Sequence, residues 1–159
     1  MNTFDQQKAA RVWQRVQGEM PKERKPEPLE DLQELILNEW NAASTYQALA
    51  RQASPQGAAV LQRLAREEHG HGACLRGMYS LVTGEKCELR MPKLPKEPVE
   101  RTLRRCYGLE MRSLKAYEAK TDHPEYGHVF ARIAQQEREH CMALLELLGQ
   151  MDRGGPGAK

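Results

Sequence analysis

The sequence predicts an all-α fold: an antiparallel four-helix bundle with one long crossover loop, preceded by a short N-terminal helix. Three observations predict it. Four segments carry apolar residues at spacings of three and four, the stripe that a helix turns towards a core. Two of the connections between these segments are short, whereas the third, Gly84–Pro98, holds three prolines and no helical period. Fifteen residues reach at most about 50 Å, more than the roughly 37 Å of a 25-residue helix. The third connection can therefore run the length of the bundle and join its halves.

In chain order, Phe4 to about Met20 can form a short amphipathic helix through Phe4, Val12, Trp13, Val16 and Met20, followed by a charged, proline-punctuated linker. It is expected to pack outside the bundle or on a partner subunit; a docking peptide is the other reading. The first bundle helix is predicted from Pro28 to Ala53, with Leu29, Leu32, Leu35, Ile36, Trp40, Ala43, Tyr46 and Leu49 facing inward. Ser54-Pro55 is a start signal for the second, which runs to about Val82. Gly70, Gly72 and Gly77 lie inside that helix at a cost of about 1 kcal/mol each, and close approach of a neighbour is the expected reason. The third helix spans about Val99 to Lys120. The fourth is capped by Asp122, whose spacing to Glu125 is that of a capping box, and stops at Gly149. Residues 1–27 thus read as helix and linker, 28–150 as the bundle and 151–159 as a disordered tail.

A chain of 159 residues fits one domain, and Ala, Leu, Glu, Gln and Arg favour helix. Net charge is +2 with both signs interspersed, so nucleic acid is not an implied partner. No apolar run approaches the roughly 18 residues of a membrane span, and the N-terminus lacks a signal-peptide core, so a cytoplasmic location is expected. The four cysteines, Cys74, Cys87, Cys106 and Cys141, contain no C-x-x-C pair. Buried small hydrophobes are the expected role rather than redox partners.

The chemistry concentrates in Arg63–His71, RLAREEHGH, and its echo Arg132–His140, RIAQQEREH. Each carries Glu-x-x-His, as Glu68/His71 and Glu137/His140, and each half adds an earlier Glu with a Tyr seven residues on, Glu39/Tyr46 and Glu110/Tyr117. A spacing of three puts Glu and His on one helical face. In an antiparallel hairpin, residues equidistant from the turn lie level. Glu39 and Glu68 are equidistant from Ala53–Ser54, and Glu110 and Glu137 from the Asp122–Pro124 turn. Two lone Glu and two Glu-x-x-His pairs projecting into a bundle form the ligand set of a dinuclear centre. Four carboxylates and two imidazoles suit two iron or manganese ions. The expected metal ligands are therefore Glu39, Glu68, His71, Glu110, Glu137 and His140. Glu125/His128 has the same spacing, but lies about 18 Å along the helix and about 120° around it, and reads as surface, as do His69 and His123.

This pattern resembles the rubrerythrin branch of the ferritin-like superfamily over roughly Leu29–Leu148, through Glu39-x6-Tyr46, Glu68-x-x-His71, Glu110-x6-Tyr117 and Glu137-x-x-His140. The resemblance implies a ferritin-like bundle with a non-haem di-iron centre that reduces hydrogen peroxide or reacts with oxygen. It implies that Tyr46 and Tyr117 hydrogen-bond the ligand carboxylates. Typical rubrerythrins carry a further Glu one turn after the third-helix ligand, where this chain has Ser113. They also often carry a rubredoxin domain with paired C-x-x-C; without that pairing, electrons are expected from a separate donor such as a rubredoxin. A homodimer is the expected assembly. Ferroxidase activity in iron handling, oxygenation of an organic substrate, and a structural bundle with a vestigial site are the other uses open to this sequence.

Overall fold

The computed structural model of the chain describes residues 31–92, 94 and 96–153. The expected N-terminal helix at Phe4–Met20, its linker and the tail past Arg153 lie outside the described residues. Four α-helices form: α1 (Leu32–Ala50), α2 (Pro55–Thr83), α3 (Val99–Glu118) and α4 (Gly127–Arg153). No strand occurs among the described residues. α1 packs chiefly on α2 and α3 chiefly on α4, so the bundle consists of two helical hairpins set against each other.

Local chemistry accounts for the ends of α2. The Ser54 hydroxyl accepts from Gly57 N at 3.3 Å and Pro55 opens the first turn, as the sequence predicts. At the other end Gly84 takes φ 76° and donates its N–H to Ser80 O, a left-handed stop that favours glycine. The crossover then runs beside α1, where Trp40 Nε1 donates to Arg90 O at 3.0 Å. Cys87 is buried and packs, with Leu89, against the core. The start of α1 is tied to the end of α3 by an ion pair between Asp31 and Lys120 Nζ at 2.7 Å.

The fourth helix departs from expectation at both ends. Asp122 caps nothing, because the chain makes a further turn before α4 begins at Gly127. His123 does the capping: its Nδ1 faces the N–H groups of Glu125 and Tyr126 at 3.2 and 3.1 Å. The ring is half-buried against Tyr126 and Phe130 rather than on the open surface. At the far end Gly149 does not stop the helix, which continues to Arg153 and takes in the start of the expected tail.

The glycines of α2 have a different explanation from the expected one. Nothing lies within 4 Å of a side chain added at Gly70 or Gly77, and one added at Gly72 would make only ordinary contact with Glu39 Cβ at 3.5 Å. The close approach is at Gly127, where an added Cβ would meet Thr121 O at 2.2 Å. Alanine is therefore expected to act with opposite sign at two positions. Gly77→Ala should stabilise the protein by about 1 kcal/mol, and Gly127→Ala should destabilise it by about 1–3 kcal/mol. Urea denaturation measures both, and a neutral Gly127→Ala would show that the turn is not tight.

The core forms two apolar lobes. One holds Leu32, Leu35, Ile36, Leu75, Met78, Leu114, Tyr117, Phe130 and Ile133; the other holds Tyr46, Leu49, Leu61, Leu64, Leu103, Cys106, Leu144 and Leu147. On every helix buried acids and imidazoles lie between the lobes: Glu39, Glu68 and His71, Glu110, and Glu137 and His140. A polar layer thus crosses the middle of the bundle.

Candidate metal centre

Each of those six residues is at most 4% exposed. They fall into two sets of four. Glu39, Glu68, His71 and Glu137 offer ligand atoms within 4.8 Å of one another, and so do Glu68, Glu110, Glu137 and His140. Glu68 and Glu137 belong to both sets, the place of shared carboxylates between two ions. Glu39 with His71, and Glu110 with His140, flank them as end groups. The structure therefore brings together all six residues that the spacing singled out.

Both imidazoles turn Nδ1 inward. His71 Nδ1 lies 3.2 Å from Glu39, 3.4 Å from Glu68 and 3.1 Å from Glu137. His140 Nδ1 lies 2.8 Å from Glu68 and 3.7 Å from Glu137. The two rings stack with centroids 5.6 Å apart. An outer ring of hydrogen bonds holds this arrangement. Tyr46 donates to Glu110 and Tyr117 to Glu39. Outward-facing His71 Nε2 meets Gln136 Oε1 at 3.1 Å, and His140 Nε2 meets Glu67 Oε2 at 2.9 Å. All four contacts run from one hairpin to the other.

Burial and crowding set the protons. Burial, reinforced by the Glu39 and Glu110 charges, pushes Glu68 well above the usual carboxylate range. Burial likewise pushes Glu137 up to about 10, although His71 opposes it. Burial would also raise Glu39, but hydrogen bonds to Glu68, His71 and Tyr117 and the charge of His71 hold it below the usual range. Burial would lower His71, but the Glu137 and Glu39 carboxylates close to its Nδ1 override this and push it up to about 10. Burial holds His140 below its ordinary value. Metal-free at neutral pH, the cluster therefore carries His71 as cation and a proton on Glu137, while Glu39 is biased towards its carboxylate and Glu68 towards its protonated form.

The donor set fits a pair of divalent cations. Glu68 Oε1, both Glu137 oxygens and His140 Nδ1 are buried without a hydrogen-bond partner among the described residues. Some lie close to one another, but not in hydrogen-bonding geometry. A buried polar atom left unpaired costs roughly 1–3 kcal/mol, and four around one point need a common partner. Two divalent ions would supply it, and oxygen and imidazole donors are those that iron and manganese accept.

A groove of about 640 Å³ between α1 and α3 reaches Glu39, Glu68 and Glu110, with Asn38, Thr45 and Ser113 on its walls. It meets the cluster on its carboxylate side. The imidazole side is covered by Glu67 and Gln136.

No family model matches the chain, and no curated protein is detectably similar to it in sequence. A solved structure shares its fold. Hypothetical Protein Pfu-1136390-001 from Pyrococcus furiosus aligns with a TM-score of 0.67 and 19% identity, over 80% of this chain and 92% of that one. At that identity the likeness speaks for the helical fold alone.

The residues set aside from the sequence lie away from the cluster. Glu125 and His128 are exposed. His69 is also exposed, against Trp40 and Gln47. All four cysteines are free, and Cys87, Cys106 and Cys141 are buried. Burial pushes the Cys106 thiol up to about 12 and that of Cys141 up to about 11, which suits inert packing groups. No described helix is long and apolar enough to cross a membrane. Glu67 and Gln136 are the site residues that sequence reasoning missed. Each directly precedes a shared glutamate, so aligning RLAREEHGH with RIAQQEREH would have paired them.

Proposed function

We propose that this chain is a dinuclear iron or manganese carboxylate redox protein of rubrerythrin type, ferritin-like in fold and cytoplasmic. It would reduce hydrogen peroxide or oxygen with electrons from a separate donor protein such as a rubredoxin. The observation that carries the reading is the pair of four-residue sets sharing Glu68 and Glu137. When bound, a reduced metal pair would supply the two electrons that, with two protons, turn one peroxide into two waters.

The chain's own residues would prepare the site. Glu68 and Glu137 would lie between the ions, with Glu39 and His71 on one and Glu110 and His140 on the other. Tyr46 and Tyr117 hold one oxygen of Glu110 and Glu39 in place, which leaves each second oxygen to face inward. The apolar lobes exclude bulk water, and the α1–α3 groove offers a small polar oxidant a way to the carboxylate side. Ser113 on that groove is short and leaves the passage open. A homodimer is the assembly we propose.

The test is to load the protein anaerobically with iron(II), determine metal by elemental analysis, and mix it with peroxide or oxygen in a stopped-flow spectrometer. Two ions per chain and rapid oxidation by peroxide are expected, with the reaction lost in Glu68→Ala. Well under one ion per chain would mark a vestigial site. A loaded protein inert to both oxidants would overturn the redox assignment.

A further inference from the structure

We propose that Glu67 makes the two ion positions unequal, so that the one served by Glu110 and His140 fills first and holds its ion more tightly. The inference rests on the dinuclear reading and deepens it.

The two positions draw on the same residue types. Each takes one lone Glu, one His through Nδ1, and a share of Glu68 and Glu137. Each lone Glu is held by a tyrosine from the opposite hairpin. A difference in charge lies one layer out. Behind His140 stands a carboxylate, Glu67 Oε2, at 2.9 Å; behind His71 stands an amide, Gln136 Oε1, at 3.1 Å. The two residues occupy equivalent places in the halves, directly before Glu68 and Glu137.

A group accepting the outer N–H of an imidazole fixes its tautomer and raises the basicity of the inner nitrogen. Glu67 and Gln136 both offer the oxygen, but only Glu67 adds negative charge. That charge draws the Nε2 proton outward and strengthens His140 Nδ1 as a donor. The arginine one turn upstream follows the same asymmetry. Arg63 holds Glu67 with Nη1 at 3.0 Å, whereas its counterpart Arg132, with no carboxylate at Gln136, reaches Cys74 Sγ at 3.7 Å. Glu67 would thus act as a positioning residue through His140, without touching an ion.

Cobalt(II) is a suitable probe, because in the general order of divalent ions it binds such sites at least as tightly as iron(II). Wild type titrated by calorimetry should take up two ions in two steps. Glu67→Gln keeps the hydrogen-bonding oxygen and removes the charge, and should weaken the tighter step about 10- to 100-fold. Gln136→Glu should strengthen the weaker one. His140→Ala should abolish the tight step in wild type, and His71→Ala should preserve it. In the exchange variant Glu67→Gln/Gln136→Glu these two effects should swap, an outcome that general damage to the fold cannot produce. An unchanged tight step in Glu67→Gln, or its survival in His140→Ala, overturns the inference while leaving a protein that binds two ions. Wild type that binds no cobalt overturns the inference and the dinuclear reading together.

Discussion

On the dinuclear reading, metal should stabilise this protein, and Glu137→Ala is expected to abolish that stabilisation. An ion at a thousand-fold excess over its dissociation constant stabilises a fold by about 4 kcal/mol. For a chain of this size that is a rise in melting temperature of roughly 8–16 °C. Glu137 belongs to both four-residue sets, so its loss strips a donor from both positions, whereas the loss of Glu110 strips only one. Neither Glu137 oxygen has a hydrogen-bond partner in the metal-free arrangement, so the metal-free variant should stay folded. Thermal melts followed by circular dichroism, with and without manganese(II), read the effect. A metal-induced shift that survives in Glu137→Ala would remove this residue from the centre.

The second large effect is a reversal of pH dependence on metal loading. Glu137 rises from 4.5 to about 10 on folding and His71 from 6.5 to about 10. A group with a raised folded value holds its proton longer in the native state, so its contribution is complete below the unfolded value. That contribution is lost as pH climbs to the folded one. Glu68 has the same sign. Glu39, held below 4.5, and His140, held below 6.5, have the opposite sign, and their contributions fade only as pH falls below those values. The metal-free protein should therefore melt at falling temperature as pH climbs from about 7 towards about 10. Metal binding displaces these protons, so the gap between loaded and metal-free melting temperatures should widen over the same window. Melts in chelator and in manganese(II) provide the comparison. A metal-free melting temperature that rises throughout would contradict the protonation of Glu68, Glu137 and His71.

The six clustered residues were legible because two independent constraints coincide on them. Helical spacing puts Glu68 beside His71 and Glu137 beside His140, and equal distance from a turn puts Glu39 level with Glu68 and Glu110 with Glu137. Glu125/His128 satisfies the first constraint and has no level partner across a turn, which is why it could be set aside. Glu67 and Gln136 were not legible in the same way, since a polar residue next to a buried one on a helix ordinarily faces water. Only the hairpin-to-hairpin approach turns them towards the imidazoles. The start of α4 was misread because Asp122 and Glu125 mimic a capping box. His123, two residues before Glu125, can satisfy the same N–H groups with a ring that also packs on Phe130. The end of α4 was misread because Gly149 has no left-handed turn to serve.

The four outer hydrogen bonds, each spanning from one hairpin to the other, have a consequence for how the molecule assembles. Neither hairpin contains a whole ion position, because Glu137 lies on the second and Glu68 on the first, and each position needs both. On the dinuclear reading, metal capture and the docking of the two halves would therefore be one equilibrium. The crossover, packed along α1 through Trp40 and the buried Cys87, ties one half to the other. The protein would behave in this respect as two partners on a leash, whose affinity for each other rises with the metal available in solution.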